Sequence, residues 1–192
     1  SGLVTGLTAG NVTVVYTYSN GTCTNSVSAI LTVNPIPVVG PIAGGASSVC
    51  VNVNTPAFTN GTPGGTWSII DGTGSATINA SGVATGVSAG TVTVVYTVDN
   101  GTCSSESAVS LTVDALPAVA AIGGGTPSVC VNSTTPAFTN ATIGGTWSIV
   151  NGTGTASITV SGVVTGLSAG NVTVAYTISN GICTNTSTQA LT

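Results

Sequence analysis

The segment TVTVVYTV at 91–98 alternates along its length: Val92, Val94, Tyr96 and Val98 share one face, Thr91, Thr93, Val95 and Thr97 the other. A period of two predicts a half-buried strand, apolar inside and threonine outside. Asp99-Asn100-Gly101 follows, then a second strand through Ser107, Val109 and Leu111. An Asn-Gly pair between two such runs predicts a hairpin with a type I′ turn, which needs positive φ at both central residues. Further short runs precede this pair: SSVCV at 48–52, PAFTN at 56–60, TWSII at 66–70, SATIN at 75–79 and GVATGV at 82–87. Each is bounded by Gly, Pro or Asn, the residues that punctuate strands. The count comes to about seven strands, the number an immunoglobulin-type sandwich requires.

The same pattern returns at a fixed interval. Aligning 33–112 with 113–192, without a gap, leaves 48 of 80 positions identical, and residues 1–32 match 81–112 in the same register. The expected organisation is therefore 1–32 as the last strands of one unit, 33–112 as a complete unit and 113–192 as another. Eighty residues suit a small β-sandwich better than a solenoid turn, which needs only 20 to 45. Three strands in residues 1–32 cannot close a sandwich. Their apolar face is expected to be bare unless other residues of the polypeptide, or a neighbouring copy donating strands, cover it.

Composition narrows the chemistry. The chain has no Lys, Arg, His or Met, and its formal charges are Asp71, Asp99, Glu106 and Asp114. General acid–base catalysis draws on His, Lys and positioned carboxylates, and none of these four acids recurs at the equivalent place in another unit. The chain is read as not an enzyme. Zinc and copper sites want His and Cys clusters and calcium wants converging oxygens, so no metal or other cofactor is expected. Without cations, neither nucleic acid nor an anionic membrane surface is a partner. No run of about 18 apolar residues is present, so this segment is not expected to insert in a membrane. No signal peptide is visible either, which reads as a piece of a mature protein.

The combination SVCVN, TPAFTN, GGTWSI, SGVVTGLSAGNVTVAYT and NGIC resembles bacterial immunoglobulin-like repeats of the BIg2 type, found in large surface proteins of the Bacteroidota. The resemblance covers the whole chain. It implies an all-β fold of tandem immunoglobulin-like sandwiches within an exported, cell-surface or extracellular adhesin, stalk or filament, and it carries over no active site. Trp67 and Trp147 occupy the place where immunoglobulin domains bury a tryptophan on strand C. They are expected in the core, as are Tyr16, Tyr96 and Tyr176. A sugar-stacking role would need the indole ring exposed. One departure stands out: Cys103 lies seven residues after Tyr96, beyond the hairpin turn, so a disulfide must join strands other than the usual B and F.

Five cysteines permit two regular schemes. Cys50 and Cys103 are 53 residues apart, Cys130 and Cys183 repeat the spacing, and Cys23 corresponds to Cys103. Pairing Cys50–Cys103 and Cys130–Cys183 within units leaves Cys23 alone. Pairing Cys23–Cys50 and Cys103–Cys130 would join neighbouring units and strand Cys183. The first is preferred, because Cys23 begins the last strand of its unit, far from the next unit if units run end to end. It is strained by one point: Cys50 sits low on an early strand, whereas Cys103 starts near the opposite end. Disulfides imply an oxidising, exported setting.

Connectors VNPIPVVGPIAGG at 33–45 and VDALPAVAAIGGG at 113–125 carry Pro35, Pro37, Pro41 and Pro117. Proline fixes φ and limits swivelling, so a semi-rigid rod is expected, each unit adding roughly 35 to 45 Å. The expected function is a structural stalk or filament segment whose partners are further copies of the repeat, in the same chain or in neighbouring chains. The rival is a multivalent module binding glycans, or another surface such as ice, through Thr/Asn-rich faces such as Thr91, Thr93 and Thr97, where weak sites sum to avidity.

Overall fold

The computed structural model describes residues 2–192 and contains seventeen β-strands and no helix among them. Two apolar cores form, one for each complete copy of the repeat. In the middle copy, one layer is the four-stranded sheet β4 (Ser48–Cys50), β10 (Ser104–Asp114), β9 (Gly90–Asp99), β6 (Thr66–Asp71), in that order. The facing layer consists of β3 (Ile42–Gly44) paired with β5 (Phe58–Asn60), and β7 (Ser75–Ile78) paired with β8 (Ala84–Ser88). Its two pairs are joined by the Phe58 amide donating to the Gly82 carbonyl and the Thr55 amide to the Ala84 carbonyl, both at 2.8 Å. This is the arrangement of an immunoglobulin-like sandwich: A, B, E and D on one side, C, F and G on the other, with an extra early strand parallel to G. The last copy repeats it with β11 (Ile122–Gly124), β12 (Phe138–Asn140), β13 (Thr146–Asn151), β14 (Thr155–Ile158), β15 (Val164–Ser168), β16 (Val172–Ser179) and β17 (Thr184–Leu191).

The alternation places the core. Val92, Val94 and Tyr96 of β9 are buried, facing Leu111 and Val113 of β10 across a ladder that opposes Val92 to Leu111 and Val94 to Val109. Val95 departs from the expected outward exposure: it is buried as well, flanked across the strands by the small residues Ser68 and Ala108. Phe58 completes the core from the opposite layer. Burying side chains of this size contributes about 1.5–3 kcal/mol each, which is what closes so small a unit.

Three expectations are corrected. The connector is shorter than its composition suggested, since Ile42–Gly44 and Ile122–Gly124 are strands. In addition, β10 runs on to Asp114, across the repeat boundary at 112/113. The hairpin turn is not a two-residue type I′ turn. Four residues, 100–103, separate Asp99 from its partner Ser104, and Gly101 has positive φ while Asn100 does not. Asn100 is there for its side chain, whose Oδ1 accepts from the amides of Thr102 at 3.1 Å and Cys103 at 2.9 Å, an Asx turn.

Residues 2–32 form only the hairpin of β1 (Gly10–Ser19) and β2 (Thr24–Val33), two strands rather than three. Tyr16, expected in a core, is 67% exposed, and among the described residues no second layer packs on this hairpin.

Candidate functional site

The chemically distinctive place is the junction between the two complete units. Strand β10 ends at Asp114, which lies beside Cys50 in the parallel ladder with β4. The chain then enters the last unit, whose β16–β17 hairpin turn grips it. The Asn180 side-chain amide donates to the Ala115 carbonyl at 3.3 Å and that of Asn185 to the Pro117 carbonyl at 3.0 Å. Cys183 Sγ lies 3.9 Å from the Asp114 carbonyl oxygen. These contacts bring Cys183 against Cys50, and the two form a disulfide with Cα atoms 5.8 Å apart. Asp114 Oδ2 is buried in this junction without a hydrogen-bond partner.

The expected pairings are therefore both corrected: Cys50 bonds to Cys183 in the next unit, and Cys103, Cys130 and Cys23 are free thiols. Geometry decides against the intra-unit bridge. Cys103 opens the strand on which Asp114, the neighbour of Cys50, is eleven residues further along. At ~3.3 Å per residue that is roughly 36 Å, whereas a disulfide needs Cα atoms within about 7 Å. The alternative between-unit scheme fails because it matched the wrong ends. Each unit carries its Cys50-type cysteine at its far end and its Cys103-type cysteine at its near end, so the bridge spans one period plus 53 residues.

The same grip exists at the near end of the middle unit. The Asn100 amide donates to the Pro35 carbonyl at 3.0 Å, and Cys103 Sγ lies 4.0 Å from the Asn34 carbonyl oxygen.

The tryptophans are half-buried and packed against their cores. The rings of Trp67 and Tyr96 are 4.7 Å apart and tilted, as are those of Trp147 and Tyr176 at 4.6 Å, a favoured aromatic geometry. Tyr96 and Tyr176 are buried, and each hydroxyl is satisfied. Tyr96 donates to the Thr62 carbonyl at 2.7 Å and accepts from the Gly65 amide at 2.9 Å, and Tyr176 does the same with Thr142 and Gly145. The Gly-Gly-Thr-Trp motif thereby acquires a reason, since a Cβ on Gly65 would collide with the Tyr96 ring.

Two of the four carboxylates, Asp71 and Asp99, serve as turn acceptors. Asp71 Oδ1 accepts from the Ala76 amide at 3.3 Å, and in the last unit neutral Asn151 accepts from Ala156 at 3.2 Å. Asp99 Oδ1 accepts from the Gly101 amide, a role that Ser179 Oγ takes for Gly181. Positions filled equally well by neutral residues are using an oxygen, not a charge. Among the described residues no three of Cys, Asp and Glu converge as metal ligands.

No protein-family model matches the chain, and no curated protein does. Solved structures do match. Domains 4 and 5 of the S-layer protein SbsC are 16% identical, covering 79% of this chain and 98% of that one, with a TM-score of 0.34. Drosophila N-cadherin EC1-4 is 13% identical over 94% of this chain and 57% of its own, TM-score 0.33. The I-band fragment I67-I69 from titin is 17% identical over 96% and 74%, TM-score 0.25. Each is a likeness only, and the immunoglobulin-like assignment rests on the sheet order described above.

Proposed function

We propose that the chain is a structural repeat segment, a semi-rigid spacer in the stalk or filament of an exported bacterial surface protein of adhesin type. The observation that carries this reading is the junction: successive units use one fold, one connector grip and a covalent bridge between them, and neither unit carries a constellation that the other lacks. A spacer needs the same unit many times and no unique site. The disulfide supports an oxidising, extracellular location, and the resemblance to Bacteroidota surface repeats supports the source. Further units of the same repeat are the expected partners.

Electron microscopy of the native assembly tests the reading. Beaded or bundled threads with a regular axial repeat are expected, and isolated globular particles would overturn it. A second reading, multivalent glycan binding, is favoured by the exposed Thr and Ser hydroxyls along β9 and β10 and by a hollow beside Trp147 lined by Ile158, Thr159 and Val160. A glycan array probed with this chain separates the two: uniform absence of binding leaves the spacer.

A further inference from the structure

The far ends of the two complete units have the same sequence pattern but differ in the structure. In the middle unit, Val113 continues β10 past the repeat boundary and is buried, opposite Val49 on one side and Gly90 on the other. A Cβ on Gly86 would come within 2.8 Å of Val113 Cγ1, so the glycine makes room for it. In the last unit a hollow of about 320 Å³ lies at the corresponding end, lined by Val129, Cys130, Gly166, Gly170, Val172 and Leu191 among others. These are the counterparts of Val49, Cys50, Gly86, Gly90, Val92 and Leu111. Beside the hollow, Cys130 is exposed and unpaired, and the Val129 amide donates to the Thr192 carbonyl at 3.0 Å.

We infer that this end is a receiving site for a further unit of the same repeat. The Cys183-type cysteine of that unit bonds to Cys130 as Cys183 bonds to Cys50. Cys103, held against Asn34 as Cys183 is against Asp114, is the matching donor toward a preceding unit. Each bridge forms from two thiols, which lose two protons and two electrons to an oxidising disulfide such as oxidised glutathione, itself reduced to two thiols.

The consequence is mechanical. Cys23 and Cys50 are 27 residues apart, as are Cys103 and Cys130, and every bridge then skips 133 residues. Two covalent paths run side by side, each needing 27 residues and one bridge to advance two units. Fully extended, 27 residues reach ~90–97 Å, and the bridge adds 5.8 Å between its Cα atoms. Two folded units, measured along β10 from one junction to the next, already span roughly 73 Å. The stapled array stretches by about 40% at most. Unstapled, the 160 residues could extend to ~530–580 Å, about eightfold.

The inference rests on the reading of the chain as repeat units, not on what the array is for. To test it, the chain is extended at Thr192 with another copy of residues 113–192, oxidised with a glutathione redox pair, blocked with N-ethylmaleimide and digested with pepsin. Mass spectrometry without reduction is expected to find Cys50 linked to Cys183, and Cys130 linked to the added counterpart of Cys183. The variant Cys130→Ser should lose only the second cross-link. Cys130 recovered alkylated, or linked to Cys183 or Cys103, overturns the proposal, as does absence of both cross-links. A failed second bridge would leave the spacer reading standing, whereas a glycan-array hit would displace that reading without touching the bridge.

Discussion

The hairpins β1–β2 and β9–β10 share 14 of 24 aligned residues and stand in two environments. Val12, Val14, Tyr16 and Leu31 repeat as Val92, Val94, Tyr96 and Leu111, and both hairpins pair in the same register. Yet Leu31 is 40% exposed and Leu111 fully buried. The pairing is set locally: alternation, β-branched residues and an Asx turn give both hairpins one register. Burial of β9–β10 comes from a second layer supplied by residues 42–88. The comparison separates what a strand does alone from what the sandwich adds, and substituting matched positions measures the difference.

The largest effect belongs to the cysteines. Cys183→Ser opens a loop of 133 residues, and on the chain-entropy model this costs about 5 kcal/mol. Cys23→Ser, at the equivalent place in the first hairpin, should cost nothing measurable in chemical denaturation. Pulled by its ends in a force spectrometer, the oxidised chain should release roughly 440–480 Å less contour than the reduced chain. Equal contour lengths would show that the bridge does not carry the load.

Next come the leucines. Leu111→Ala removes a fully buried side chain and should cost about 2–5 kcal/mol, and Leu31→Ala under ~0.5 kcal/mol, by urea denaturation. Similar losses at both positions would mean that the first hairpin is covered in solution by another copy of the chain. Smaller again, Tyr96→Phe removes one hydroxyl that both donates and accepts, leaving the Gly65 amide and Thr62 carbonyl unpaired. A loss of about 1–3 kcal/mol is expected, against no change for Tyr16→Phe. The smallest contrast is Asn100→Ala against Asn20→Ala. Both asparagines cap their own turns, but Asn100 also holds the connector at Pro35. The excess loss at Asn100, on the order of 0.5–1.5 kcal/mol, is the worth of that grip.

The candidate site was only partly legible. The position of the Asn-Gly turn, the tryptophan strand and the inward tyrosine of the longest strand were visible as periodic residues, because each follows from side-chain alternation within a few positions. The disulfide partner was not. Spacing shows that cysteines recur, but it carries no sign of which end of a sandwich each one occupies. A hint did exist: Cys50 and Cys103 lie at opposite ends of their unit, and that alone disfavours the intra-unit bridge. Strands β3 and β11 were missed because three residues that follow Pro or Ala and run into glycines read as connector, and their ladder partners lie 14–18 positions away.

From the sequence by itself came the eighty-residue period, the β class, the inward faces and the scarcity of charge, since each depends on residue type and on neighbours within one strand. The tertiary structure alone decided which cysteines meet and where one unit stops and the next begins. Those outcomes depend on distances across sheets and between units, and identical local sequences meet different neighbours there.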